Sequence, residues 1–257
     1  MYQQPNAPQS IGGVLDSGFK LYRESLSHTY LLAAIAALVM APVNFFIEPY
    51  VARTGLSGLI GRSGLLVVAI VVVNVVVYAA LIARIDAVAR AGSLSLGEAL
   101  SLGVQRMGTM LLSGVLVGIV VVIGLCLVVI PGLIVMIWLV FAPFAVVIER
   151  RGAFESLSYS RAIVRGHWWR TAVLLTIIGI VLMVVYSIVV LGVSIAVISD
   201  PVAASQGQVP WYVTLIVGPV LSAVIAPLTY ALMLAIFYDL RLRHEGGDLA
   251  ARIAATA

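Results

Sequence analysis

Residues 107–148 read MGTMLLSGVLVGIVVVIGLCLVVIPGLIVMIWLVFAPFAVVI, 42 positions without one charged side chain. As a single α-helix this stretch would be about 63 Å long, twice the ~30 Å hydrocarbon core of a bilayer. It therefore reads as two membrane spans, and Pro131-Gly132 is the expected break between them.

The same pattern extends outward on both sides. Thr29–Ile47 is an apolar run closed by Glu48, and Ser63–Ala83 lies between Arg62 and Arg84. Beyond the central stretch, Thr171–Ser199 makes a fifth run. Trp211–Tyr238 makes a sixth, with Pro219 and Pro227 as kink sites. The expected fold is all-α: a polytopic membrane protein of six transmembrane helices.

Composition agrees. The 257 residues are 62% hydrophobic, and mean hydropathy is +1.14. A soluble domain of this length carries roughly 64 charged residues at the usual share of about 25%. This chain has 15 Lys+Arg and 11 Asp+Glu. That is too few to clothe a soluble surface, and the hydrophobicity excludes disorder. Residues 1–10 (MYQQPNAPQS) are polar, lack the basic start of a signal peptide, and read as a flexible tail. The domain expected over 11–240 is the six-span body, followed by a cytoplasmic tail over 241–257.

Basic residues set the orientation. With the N-terminus inside, the inner segments hold 13 of the 15 Lys+Arg, and only Arg53 and Arg62 fall outside. This positive-inside asymmetry predicts that both termini lie in the cytoplasm. The excess positive charge follows span boundaries and forms no run, so it indicates lipid headgroups and not nucleic acid.

Three inner segments carry amphipathic patterns expected to lie at the interface. Ile11, Val14, Leu15, Gly18 and Tyr22 share one helical face, with Asp16 and Lys20 as an i,i+4 pair. Leu96, Ala99, Leu100, Gly103 and Met107 repeat that spacing 85 residues later. Ser95 and Glu98 form a capping-box signature there. The third, Ala153 to Arg165, keeps Phe154 and Leu157 as apolar positions. Each precedes a pair of spans, which suggests a threefold internal repeat.

Chemistry-bearing constellations are sparse. No ionisable residue sits near the middle of a span, which argues against a proton-coupled pump. His28, His167 and His244 lack ligand spacing, so no metal or cofactor is expected, and no catalytic residues stand out. Cys126, in an apolar run, reads as a small hydrophobe. Asn44, Asn74 and Tyr186 are the candidates for an intramembrane polar path. Arg161, Arg165, Trp168, Trp169 and Arg170 form the densest interfacial cluster. They are the candidate contacts to anionic lipid headgroups, because Trp anchors at the interface and Arg grips phosphate bidentately. Asp239, among Arg241 and Arg243, reads as a structural ion pair.

Several short motifs carry a resemblance. They are Gly12-Gly13-Val14-Leu15 through Phe19-x-Leu21-Tyr22-Arg23, then Val129-Ile130-Pro131-Gly132. Arg165-Gly166-His167-Trp168-Trp169-Arg170 and Tyr238-Asp239-Leu240-Arg241 follow. In order and spacing the chain resembles the membrane domain of bacterial glycerophosphoryl diester phosphodiesterases, which also occurs as stand-alone proteins. The resemblance implies that hydrolysis would belong to a separate soluble barrel, which these residues do not contain. The expected function is therefore non-enzymatic contact with lipids, a protein partner or a second copy. The alternatives are a permease for a neutral or lipid-like substrate, and the membrane module of a separately encoded enzyme.

Overall fold

In hydrocarbon, backbone N–H and C=O groups find no water and must bond within their own segment, so apolar runs of this length become helices. The structure, a computed structural model, describes residues 2, 4–42, 62–199 and 213–256. Among them are α1 (Ile11–Pro42), α2 (Arg62–Ala89), α3 (Leu96–Leu127) and α4 (Val129–Leu139). They are followed by α5 (Ala142–Val147), α6 (Ala153–Val164), α7 (Trp168–Ser199) and α8 (Gly218–Thr256). A π-helical turn, Val213–Val217, leads into α8, and no strand occurs among the described residues.

Five stretches among the described residues are long and apolar enough to cross a membrane. They are Gly64–Ala89, Leu96–Leu127, Val129–Val147, Trp168–Ile195 and Gly218–Gly246. The first expected span, Thr29–Ile47, continues past Pro42 into residues outside the described ones.

The first two amphipathic segments are not separate interfacial helices. Each forms the opening turns of a longer one, α1 and α3. Nothing in either sequence interrupts helix formation between the amphipathic turns and the apolar run. The capping box starts α3 as expected: Ser95 Oγ accepts from Glu98 N at 3.2 Å, and Glu98 Oε2 accepts from Ser95 N at 2.9 Å. The glycine shared by both patterns marks close helix contact in each. A Cβ on Gly18 would lie 2.7 Å from Leu232 Cδ2 of α8, and one on Gly103 would lie 2.4 Å from the Val76 carbonyl of α2.

The break in the central stretch falls at Val128, three residues before the expected Pro131-Gly132. Val128 is extended and gives its N–H to Gly124 O at 3.1 Å. Pro131 then sits in the first turn of α4, where its missing N–H costs nothing. A second break comes at Val140-Phe141, just before Pro143, and separates α4 from α5.

The core lies where α1, α2, α5 and α8 meet. Phe144 stacks on Phe237 at 5.9 Å, and Tyr78 meets Tyr230 at 5.7 Å. Phe141, Phe237 and Tyr238 are fully buried.

Described residues near both ends of the chain join the helical body. Tyr2 is buried, and Gln9 is held through its backbone N–H and carbonyl. Residues 241–256 continue α8. Asp239 holds the first of these segments, its buried carboxylate accepting from Gln9 N, Arg170 and Arg243.

Candidate functional site

α6 is a short helix tied inward by serines. Its buried residues are Ala153, Ser156, Ser160, Ile163 and Val164, which share one helical face. Ser160 Oγ donates to Trp138 O at 2.7 Å and accepts from Phe141 N at 3.2 Å, so it occupies the α4–α5 break. Ser156 Oγ pairs with Ser113 Oγ of α3 at 3.1 Å. Phe154, one of the two apolar positions named for this segment, lies off that face and is 70% exposed. Ser160 faces inward because the broken helix offers unpaired backbone groups that its hydroxyl can satisfy.

After α6 the chain turns sharply. Arg165 is extended and its N–H bonds to Arg161 O at 2.9 Å. Gly166 has φ +88°, a left-handed conformation open to glycine, and His167 N–H closes onto Val164 O at 3.0 Å. This turn sets the start of α7 beside α4.

The five candidate headgroup residues divide. The Arg161 guanidinium lies 4.9 Å from the Trp138 ring centroid, and its side chain is exposed. Arg165 is exposed and its side chain has no hydrogen bond or ion pair among the described residues. Trp168 is half-buried and meets Trp169 edge-on at 4.7 Å, while Trp169 is 78% exposed. Trp168 Nε1 is buried without a hydrogen-bond partner among the described residues.

Arg170 departs from expectation. It turns inward, with Nη2 3.0 Å from Asp239 Oδ2 and 2.6 Å from the Gln9 carbonyl. The physical reason is that Asp239 is 3% exposed, and a buried carboxylate requires charge and hydrogen-bond partners. Arg243 Nε at 3.0 Å and Gln9 N at 2.8 Å complete its shell. Asp239 is thus a structural ion pair, as expected.

Neighbouring charges are engaged in the same way. The Tyr238 hydroxyl donates to Asp86, which also pairs with Arg90. Arg241 bridges Glu149 at 2.8 Å and Glu245 at 2.7 Å. The Arg151 guanidinium stands 4.1 Å from the Tyr159 ring centroid. Burial holds the Tyr159 phenol above its ordinary pKa; Glu149 and Glu245 add to the rise, and Arg241 and Arg151 oppose it.

Between α4 and α7 runs a groove of about 830 Å³. Its walls include Ile130, Leu133 and Ile137 on one side and Ala172 and Leu175 on the other. Arg165, Trp168 and Trp169 stand at its mouth. Thr176 lies at the deep end and satisfies its hydroxyl on Ala172 O at 2.8 Å. Polar capacity is therefore concentrated at one end of an apolar slot. Sequence reading located the mouth but missed the walls, because α7 is apolar all round and its pattern does not say which face is packed.

The expected polar path is not assembled among the described residues. Asn44 lies outside them. Asn74 is buried in α2, with Nδ2 bonded to its own helix at Ile70 O, 3.1 Å away. Tyr186 is 65% exposed on α7 and lines a separate groove of about 530 Å³ with Val213 and Leu221.

A family described as a domain of unknown function, DUF7847, matches residues 64–240. The chain belongs to this family. The DUF7847 match runs from α2 to Leu240 of α8, so it includes both walls of the groove, its mouth, and Arg170 with Asp239. The description of DUF7847 names no activity and no phosphodiesterase. No curated protein and no solved structure matches the chain.

Proposed function

We propose that this DUF7847 protein is a non-enzymatic, multi-pass protein of the bacterial cytoplasmic membrane whose α4–α7 groove holds membrane lipid. The observation that carries this reading is the division of the groove into apolar walls and a mouth of Arg165, Trp168 and Trp169. A slot of about 830 Å³ is within the range of small-molecule sites. Its walls offer an acyl chain dispersion contacts and offer a polar solute almost nothing. In this reading the apolar run Thr29–Ile47 serves as a sixth span, and the 13 inner Lys+Arg keep both termini in the cytoplasm. The spacing shared by the α1 and α3 openings, with Gly18 and Gly103 each at a close contact, supports a repeat of at least those two units.

Native mass spectrometry of protein extracted from its own membranes tests the reading. Wild type should carry phospholipid through activation energies that strip annular lipid. Leu133→Trp, at an exposed wall position, should lose it. A lipid-free wild type, or equal retention in the variant, would refute the proposal.

One observation favours a second reading, a membrane module for a separately encoded enzyme. Two motifs behind the phosphodiesterase resemblance meet in the fold, Arg170 of one pairing with Asp239 of the other. Co-purification with a soluble hydrolase encoded beside this chain would support it. A transport function would require a polar path, and Asn74 and Tyr186 lie apart.

A further inference from the structure

We propose that the groove selects an anionic phospholipid, and that Arg165 is the residue that grips its phosphate while one acyl chain lies along α4 and α7. This rests on the reading that lipid occupies the groove, and adds the headgroup class and the residue that reads it.

The argument starts from charge accounting at the mouth. Arg170, five residues further along the chain than Arg165, is spent on Asp239 and Gln9. The carboxylates of this end of the molecule are engaged elsewhere. Asp239 has Arg170 and Arg243, Asp86 has Arg90 and Tyr238, and Glu149 and Glu245 share Arg241. Glu155 accepts the Gly152 N–H at the start of α6. Arg165 is left exposed without an acidic partner among the described residues, and Arg161 rests on the Trp138 face without one. Among the described residues, no carboxylate is ion-paired with the positive charge at the mouth.

Geometry supplies the rest. Arg165 is held extended, with its backbone N–H on Arg161 O, and leads directly into the apolar slot. A guanidinium fork matches two phosphate oxygens, which an ammonium cannot do. Below it the walls from Trp138 to Ile130, and from Trp168 to Thr176, each run eight residue steps. At 1.5 Å per residue that is about 12 Å, the reach of an acyl segment. Trp168 and Trp169 flank the boundary between charge and hydrocarbon, where amphipathic rings are favoured. A zwitterionic lipid would bring its own cation to a mouth that already holds Arg165, so the anionic headgroup is preferred.

The test uses the full chain in nanodiscs of equimolar phosphatidylglycerol and phosphatidylcholine, with retained lipid counted by native mass spectrometry. Wild type should retain phosphatidylglycerol about fivefold over phosphatidylcholine. That is the factor given by about 1 kcal/mol per interfacial charge, at 1.4 kcal/mol per tenfold. Arg165→Gln should bring the ratio close to one while total retention persists. Arg165→Lys should fall between, because the charge stays and the fork is lost. Each variant is compared at equal thermal stability, which the exposed position of Arg165 makes attainable. An unchanged ratio in Arg165→Gln would overturn the headgroup assignment and leave lipid occupancy standing. Full retention of both lipids in Leu133→Trp would overturn occupancy itself, and the assignment with it.

Discussion

Ser160 donates its hydroxyl to the Trp138 carbonyl at 2.7 Å, across 22 residues of sequence. The same oxygen accepts the Phe141 N–H at 3.2 Å. One side chain thereby satisfies two backbone groups released where α4 breaks before Pro143. The contact fixes α6 under the break, and α6 in turn aims Arg165 at the groove.

Ser160→Ala should destabilise the protein by about 1–3 kcal/mol, the cost of leaving buried backbone groups unpaired. Ser158→Ala, at an exposed position on the same helix, should be nearly neutral. Thermal unfolding in one detergent compares the two. Equal midpoints would mean that the break is satisfied without Ser160.

Arg170 and Asp239 form a buried pair, and removing one member strands the other. Arg170→Ala should cost toward the lower end of roughly 3–5 kcal/mol, because Arg243 and Gln9 still face the carboxylate. Arg170→Ala combined with Asp239→Ala should cost less than the sum of the single changes. Unfolding of all four proteins gives the coupling, and strict additivity would show that the two side chains act independently.

Topology follows from the basic residues. A reporter fused after Ala257, or inserted between Arg150 and Arg170, should report the cytoplasm, and one near Gln206 should report the outside. An internal Gln206 reporter would remove both the charge argument and the six-span count.

What the sequence determined by itself is what depends on covalent neighbours and on solvent. Charge-free intervals dictate long helices, because hydrocarbon leaves the backbone no other partner. The Ser95–Glu98 cap and the Asp16–Lys20 pair, 2.6 Å apart, lie within one helical turn and were legible from spacing alone. Asp239 was legible as an ion pair because Arg243 stands one turn away. Its other arginine was not, since Arg170 is 69 residues distant and arrives only when α7 packs beside α8. The tertiary structure also decided that Val128, and not Pro131, reverses the chain, because a first-turn proline does not interrupt a helix. It turned α6 onto Ser160, because the two groups that this serine satisfies are unpaired only after α4 has broken. And it opened the α4–α7 groove: residues nearly uniform in hydropathy carry no record of which face will be covered, so only the packing of whole helices could leave that face open beneath Arg165.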